Sequence, residues 1–151
     1  MIILLEEKDS STIRILIADD HAVVREGLKQ ILSGTSDMVV AAEASNGNEV
    51  MDKLSKDEIN LVILDINMPG KSGLDVLRDI KNQRPKLPVL ILSMYPEEQY
   101  AVRVLKTGAS GYLSKESAPD ELIKAIRQIS QGKKYIGPSL EGKLPDLEVS
   151  E

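Results

Sequence analysis

Apolar residues along this chain fall into two patterns that alternate. Ile13 to Ala18 is a continuous apolar run broken only by Arg14, which predicts a buried strand. Val24, Gly27, Leu28 and Ile31 then recur three and four residues apart, predicting a helix that stops near Ser33-Gly34. The second unit joins Met38 to Ala42 with a helix carrying Val50, Met51 and Leu54. In the third, Leu61 to Leu64 precede a helix that carries Leu74, Leu77 and Ile80 and is opened by the turn Met68-Pro69-Gly70. Val89 to Leu92 follow a Pro85 to Pro88 connection, and Tyr100, Ala101, Val104 and Leu105 mark the next helix, ending at Thr107-Gly108. Gly111 to Leu113 is the last, short strand. Ser117 then reads as an N-cap, with Leu122, Ile126 and Ile129 as the buried stripe of a closing helix that Gly132 ends.

Five strands alternating with five helices predict a parallel sheet covered on both faces, because parallel neighbours need helical, right-handed crossovers. The expected fold class is α/β, doubly wound, over residues 12–132. Residues 1–11 read as a leader. Residues 133–151 read as a linker or tail, since Gly137 to Glu151 mixes prolines, glycines and acids with no sustained period.

Composition narrows the function. With 151 residues, 42% of them hydrophobic and 28% charged, the chain fits one soluble domain. A net charge of -5 would repel phosphate backbones, so contact with DNA is expected only through a separate output domain. The absence of cysteine removes disulfides, thiolate catalysis and zinc ribbons, and fits a reducing, cytoplasmic setting. No apolar stretch is long enough to span a membrane, and the run Ile2 to Leu5 meets charges at once, unlike an export signal. The single histidine, His21, reads as an early helix residue with a structural role.

In an open α/β sheet, ligands bind beyond the carboxyl ends of the strands. The polar residues expected there are Asp19-Asp20 after the first strand, Asp65 after the third, Ser93 after the fourth and Lys115 after the fifth. Taken singly, the acids are ordinary capping or turn residues and Lys115 a solvated charge. Taken together, the acids form the oxygen-rich cluster that Mg2+ requires. Lys115 and Ser93 suit a phosphoryl group, one by charge and the other by hydrogen bonding.

The strings Ile15 to His21 (ILIADDH), Leu64 to Gly70 (LDINMPG), Leu92-Ser93 and Gly111 to Lys115 (GYLSK), in this order, resemble the receiver domain of two-component response regulators. The stretch Ala109 to Lys115 and the Asp-Asp-His opening further resemble the NarL/FixJ branch, whose receivers precede a LuxR-type helix-turn-helix. The resemblance covers roughly Ile13 to Gly132 and implies a flavodoxin-like strand order 2-1-3-4-5. It implies that Asp65 accepts a phosphoryl group from a sensor histidine kinase, with Lys115 and Ser93 assisting. Mg2+ would be held by Asp19, Asp20, Asp65 and the carbonyl of Asn67. Ser93 and Tyr112 would form a switch, and homodimerisation on phosphorylation is implied. Asn67 and Tyr95, two residues beyond Asp65 and Ser93, are expected to tune access of water to the phosphoryl site. Such a protein is a signalling phosphoacceptor that catalyses only its own phosphorylation and dephosphorylation, and the output domain is expected to be absent from this chain.

This sequence departs from the family pattern at Glu116, where receivers often carry proline in a cis bond. Three other readings compete. A stand-alone receiver or interaction module would keep the same residues. A phosphatase of the haloacid dehalogenase type wants a second acid two residues after its nucleophile, where this chain has Asn67. A flavodoxin-like FMN carrier needs a hydroxyl- and glycine-rich phosphate loop in place of Asp19-Asp20.

Overall fold

In the computed structural model, residues 12–94 and 98–136 are described, residues 98–100 as backbone only. The elements are β1 (Ile13–Ala18), α1 (Ala22–Ser33), β2 (Met38–Ala44), α2 (Gly47–Lys56), β3 (Leu61–Asp65) and α3 (Gly73–Gln83). They continue with β4 (Val89–Ser93), α4 (Glu98–Thr107), β5 (Gly111–Ser114), a 3-10 turn (Lys115–Ser117), α5 (Ala118–Ser130) and β6 (Tyr135–Ile136). All strand pairs are parallel, in the order β2-β1-β3-β4-β5-β6. The doubly wound α/β fold and the order 2-1-3-4-5 are therefore present, with one strand more than the five expected.

The uninterrupted apolar runs follow from coverage on both sides. Successive strand side chains point to opposite faces, so each run divides in two. Leu16, Val62, Leu64, Val89, Ile91 and Tyr112 pack beneath α2, α3 and α4. Ile15, Ile17, Leu61, Ile63, Leu90, Leu92 and Leu113 pack beneath α1 and α5. Every residue of β3 and β4 is buried, which leaves the carboxyl ends of these strands as the places where polar groups emerge.

Two local expectations change. Residues 135–136, expected within a linker, pair with Gly111 and Tyr112 as β6, and the Tyr135 amide donates to the Ser110 carbonyl at 2.9 Å. Tyr135 is buried against the α5 face of the sheet, and its hydroxyl donates to Glu121. Two residues carry no period, so burial of one aromatic ring, not patterning, makes this strand. Ser117 precedes α5 but makes no side-chain cap, because the 3-10 turn already gives it helical backbone, φ -85° and ψ -9°. Instead the Ser114 hydroxyl accepts from the Ser117 amide at 3.3 Å and shares a hydrogen bond with the Ser117 hydroxyl at 2.9 Å. These bonds close the turn that begins at Lys115, and among the described residues no peptide is cis, Lys115-Glu116 included. Gly132 does end α5, at φ +88°, where its amide donates to the Ile129 carbonyl at 2.9 Å.

Gly73 shows how closely the loop after β3 is held. A Cβ there would lie 2.3 Å from the Ile66 carbonyl oxygen and 2.6 Å from the Ile66 Cα, both backbone atoms that cannot step aside. Gly27, on the exposed side of α1, has nothing within 4 Å of such a Cβ. Gly73→Ala should therefore destabilise the chain by about 3 kcal/mol, lowering the thermal midpoint by roughly 10 °C. Gly27→Ala should instead stabilise it by about 0.5–1 kcal/mol through helix propensity. Thermal unfolding followed by circular dichroism separates the two, and an unchanged midpoint for Gly73→Ala would contradict the close approach.

Candidate functional site

Register brings the strand tips together. Ala18 pairs with Leu64, so Asp19 and Asp65 are the next residues out on adjacent strands. Asp65 pairs with Leu92, and Ser93 with Ser114, which places Lys115 one step beyond β5. The tips are fixed by backbone bonds: the Asp19 amide donates to Ala44 at 3.0 Å and the Ile66 amide to Leu92 at 3.1 Å. Asp19, Asp65 and Ser93 are each 1% exposed. The Lys115 side chain, 13% exposed, reaches back across β4 and β3 from the far side.

Each buried carboxylate uses one oxygen to hold its own loop. Asp19 Oδ1 accepts from the His21 amide at 2.8 Å, and Asp65 Oδ1 accepts from the Asn67 amide at 3.1 Å. The other oxygens, Asp19 Oδ2 and Asp65 Oδ2, are buried with no hydrogen-bond donor, as is Asp20 Oδ1. Lys115 Nζ lies 2.9 Å from Asp19 Oδ2 and 3.3 Å from Asp65 Oδ2, as a charge contact outside hydrogen-bonding geometry. One ammonium thus faces two carboxylates, with the Asp20 carboxylate beside them.

Burial pushes the Asp65 carboxyl above its ordinary range, and the charge of Asp19 adds to this, outweighing the Asn67 amide and the Lys115 ammonium. Burial disfavours the Lys115 ammonium too, but the pull of Asp19 and Asp65 exceeds it and holds this lysine above its usual value. Lys115 therefore stays cationic, and ionising Asp65 carries a cost set first by its burial.

Asp19, Asp20, His21 and Asp65 each offer a ligand atom, and these atoms lie within 4.8 Å of one another. Donor-less, buried carboxylate oxygens are hard ligands suited to a hard divalent cation such as Mg2+. The site residues read from the sequence thus come together: Asp19, Asp20, Asp65 and Lys115 in direct contact or within ligand reach, Ser93 buried at the tip of β4. Asn67 bears on Asp65 through its amide, while its side chain is exposed. Tyr112 is fully buried in the core beneath α4, with Ala101, Val104 and Leu105. Tyr95 lies outside the described residues.

Two residues at the site carried no functional signal in the sequence. His21 is not an early helix residue: its backbone is extended, φ -104° and ψ 116°, one step before α1, and its ring turns to the acids. Arg25 donates from a guanidinium nitrogen to the Asp19 carbonyl at 2.7 Å and from Nε to Glu43 Oε1 at 2.9 Å, while Lys29 holds the other Glu43 oxygen at 2.8 Å. This ties the loop of the acidic pair to β2. Arg25 and Glu43 are 18 residues apart, and only the pairing of β1 with β2 relates them.

Comparison with known proteins gives a consistent result. The response regulator receiver domain family matches residues 15–127. The chain is 39% identical to the transcriptional regulatory protein DegU of Brevibacillus brevis over 139 residues, 92% of this chain and 59% of that protein. It is 42% identical to the oxygen regulatory protein NreC of Staphylococcus epidermidis over 91% of this chain and 64% of that one. It thus spans about 60% of the length of these relatives. The crystal structure of a LuxR-family two-component response regulator from Aurantimonas sp. SI85-9A1 superposes with a TM-score of 0.85 at 31% identity, covering 92% of this chain and 99% of that one.

The raised Asp65 pKa gives a signed expectation for stability. A raised native-state value means that wild-type stability is fully present below the ordinary aspartate pKa of about 3.9 and is lost as pH rises through the native value. Asp65→Asn, which removes the charge and keeps the shape, should therefore raise the thermal midpoint in metal-free buffer at pH 7. The gain should shrink as the pH falls and the wild-type carboxyl takes up its proton. Calorimetry across that range with a chelator present checks it, and a variant less stable than wild type at pH 7 would contradict the cost assigned to this carboxylate.

Proposed function

The chain belongs to the family of response regulator receiver domains, signalling modules of two-component systems, and from that premise we propose that it is switched by phosphorylation of Asp65. A sensor histidine kinase is the donor. A carboxylate oxygen of Asp65 attacks the phosphorus of a phosphohistidine, an O–P bond forms, the N–P bond breaks, and the departing imidazole takes up a proton. The observation that carries this reading is the buried Asp65 Oδ2, without a hydrogen-bond donor and 3.3 Å from the Lys115 ammonium.

Asp19, Asp20, Asp65 and the Asn67 carbonyl would hold Mg2+, which the donor-less oxygens of the three aspartates suit. When bound, Mg2+ offsets the repulsion between a carboxylate and an incoming phosphoryl anion. Lys115 pairs with a phosphoryl oxygen, and the Ser93 hydroxyl donates to another. Because Ser93 ends β4 and Tyr112 lies on the neighbouring strand under α4, a shift of Ser93 repacks this face and moves α4. Asn67 and Tyr95 flank the acceptor and set how readily water removes the phosphoryl group, while leaving Asp65 the acceptor.

In the whole protein the output is transcription, through a LuxR-type DNA-binding domain, with homodimerisation following phosphorylation. The names of the relatives support the transcriptional output and the LuxR-type domain. The receiver unit comprises residues 12–132, and β6 (Tyr135–Ile136) pairs with its last main strand. A cytoplasmic location agrees with a cysteine-free chain, and among the described residues no helix is long and apolar enough to cross a membrane.

Incubation with Mg2+ and acetyl phosphate, read by intact mass, should add one phosphoryl group to the wild type and none to Asp65→Asn. Ser93→Ala should still accept the group, more slowly. Equal labelling of wild type and Asp65→Asn would place the acceptor elsewhere and overturn the proposal.

A further inference from the structure

The acid cluster contains one donor that a receiver's magnesium chemistry does not use. Resting on the reading of Asp19, Asp20 and Asp65 as a cation site, we propose that His21 Nδ1 is a nitrogen ligand of that site, which gives it a preference for nitrogen-binding first-row cations such as Mn2+ and Co2+ over Mg2+.

The geometry carries this. His21 Nδ1 lies 3.4 Å from Asp19 Oδ1 and 3.3 Å from Asp20 Oδ1. Neighbouring ligands on an octahedral ion with bonds of roughly 2.1 Å stand about 3 Å apart, so the nitrogen sits close to the spacing of an adjacent ligand. Neither contact is a hydrogen bond: Asp20 Oδ1 remains without a donor although the ring nitrogen is beside it. One ligand atom from each of Asp19, Asp20, His21 and Asp65 falls within 4.8 Å of the others, and the buried Asp19 Oδ2 and Asp65 Oδ2, on side chains 1% exposed, have no hydrogen-bond donor.

The backbone holds the ring there. The His21 amide donates to Asp19 Oδ1 at 2.8 Å, and the His21 carbonyl accepts from Val24 and Arg25 at 3.1 and 3.2 Å. Only the two side-chain torsions remain to be ordered. The ring is 63% exposed, so taking up a cation costs it little desolvation. The side chain is not used to cap α1. A neutral imidazole adds a donor without adding charge, and it favours transition ions along the series from Mn2+ to Cu2+, whereas Mg2+ prefers oxygen.

The chain has one histidine, so an imidazole signal from an untagged sample has one source. The test is pulsed electron paramagnetic resonance of the Mn2+-loaded protein, with calorimetric titrations of Mn2+ and Mg2+, for wild type and His21→Ala. Wild type should show nitrogen modulation on Mn2+. His21→Ala should lose it while still binding Mn2+ through its aspartates, with Mn2+ affinity lowered by about tenfold or more, the scale on which even outer-shell partners act, and Mg2+ affinity nearly unchanged. Mn2+ bound without nitrogen modulation in wild type, or modulation that persists in His21→Ala, would overturn the role of His21 while leaving the cation site standing. Failure of the wild type to bind either ion would remove the cation site itself.

Discussion

Three carboxylates converge at one end of the sheet, and a single ammonium is set against them. Left in water, such a group would spread apart and hydrate. Here two of the three are sealed from solvent, and the charge that Lys115 does not balance must be met by something brought in. The raised Asp65 pKa follows from this enforced arrangement, first through burial and then through the charge of Asp19.

The enforcement is a property of the strands. Asp19 and Asp65 sit at the tips of two adjacent strands, β3 buried along its whole length and β1 over its last four residues, and their backbone groups are bonded into neighbouring strands and to Arg25. Relaxing the repulsion would mean pulling a tip out of the sheet, which breaks those bonds and exposes apolar side chains on both faces. The core beneath therefore acts as the anvil for the electrostatics above, and Gly73 keeps the loop after Asp65 close enough for its amides to hold the carboxylate.

Much of this was legible in the chain because the central strands β3 and β4 are buried on both faces and so read as apolar runs, with β1 interrupted only by Arg14. Once the alternation was recognised, Asp19, Asp20, Asp65, Ser93 and Lys115 fell at strand ends by position alone. What stayed hidden depends on contacts that no spacing encodes. β6 is two residues long and exists because the Tyr135 ring is buried. The seryl cap belongs to Ser114, not Ser117, because a 3-10 turn shifts the start of helical backbone. The turn of the His21 ring toward the acids needs the extended backbone before α1, and the hold of Arg25 on Asp19 needs Glu43, brought near by strand order. Tyr112 could be placed on a strand, while its complete burial is set by α4.

The short pairing of Tyr135 and Ile136 has a further effect at the border of the sheet. Without it, Gly111 and Tyr112 would present unbonded peptide groups along an open rim, a template on which another chain could stack. With it, the rim is a blunt pair of residues. The opposite border, β2, is interrupted by a register shift opposite Ile15 and Leu16 and carries the charged Glu43. Sheet-to-sheet polymerisation into fibrils is thereby discouraged on both flanks, and encounters between copies are left to side-chain surfaces.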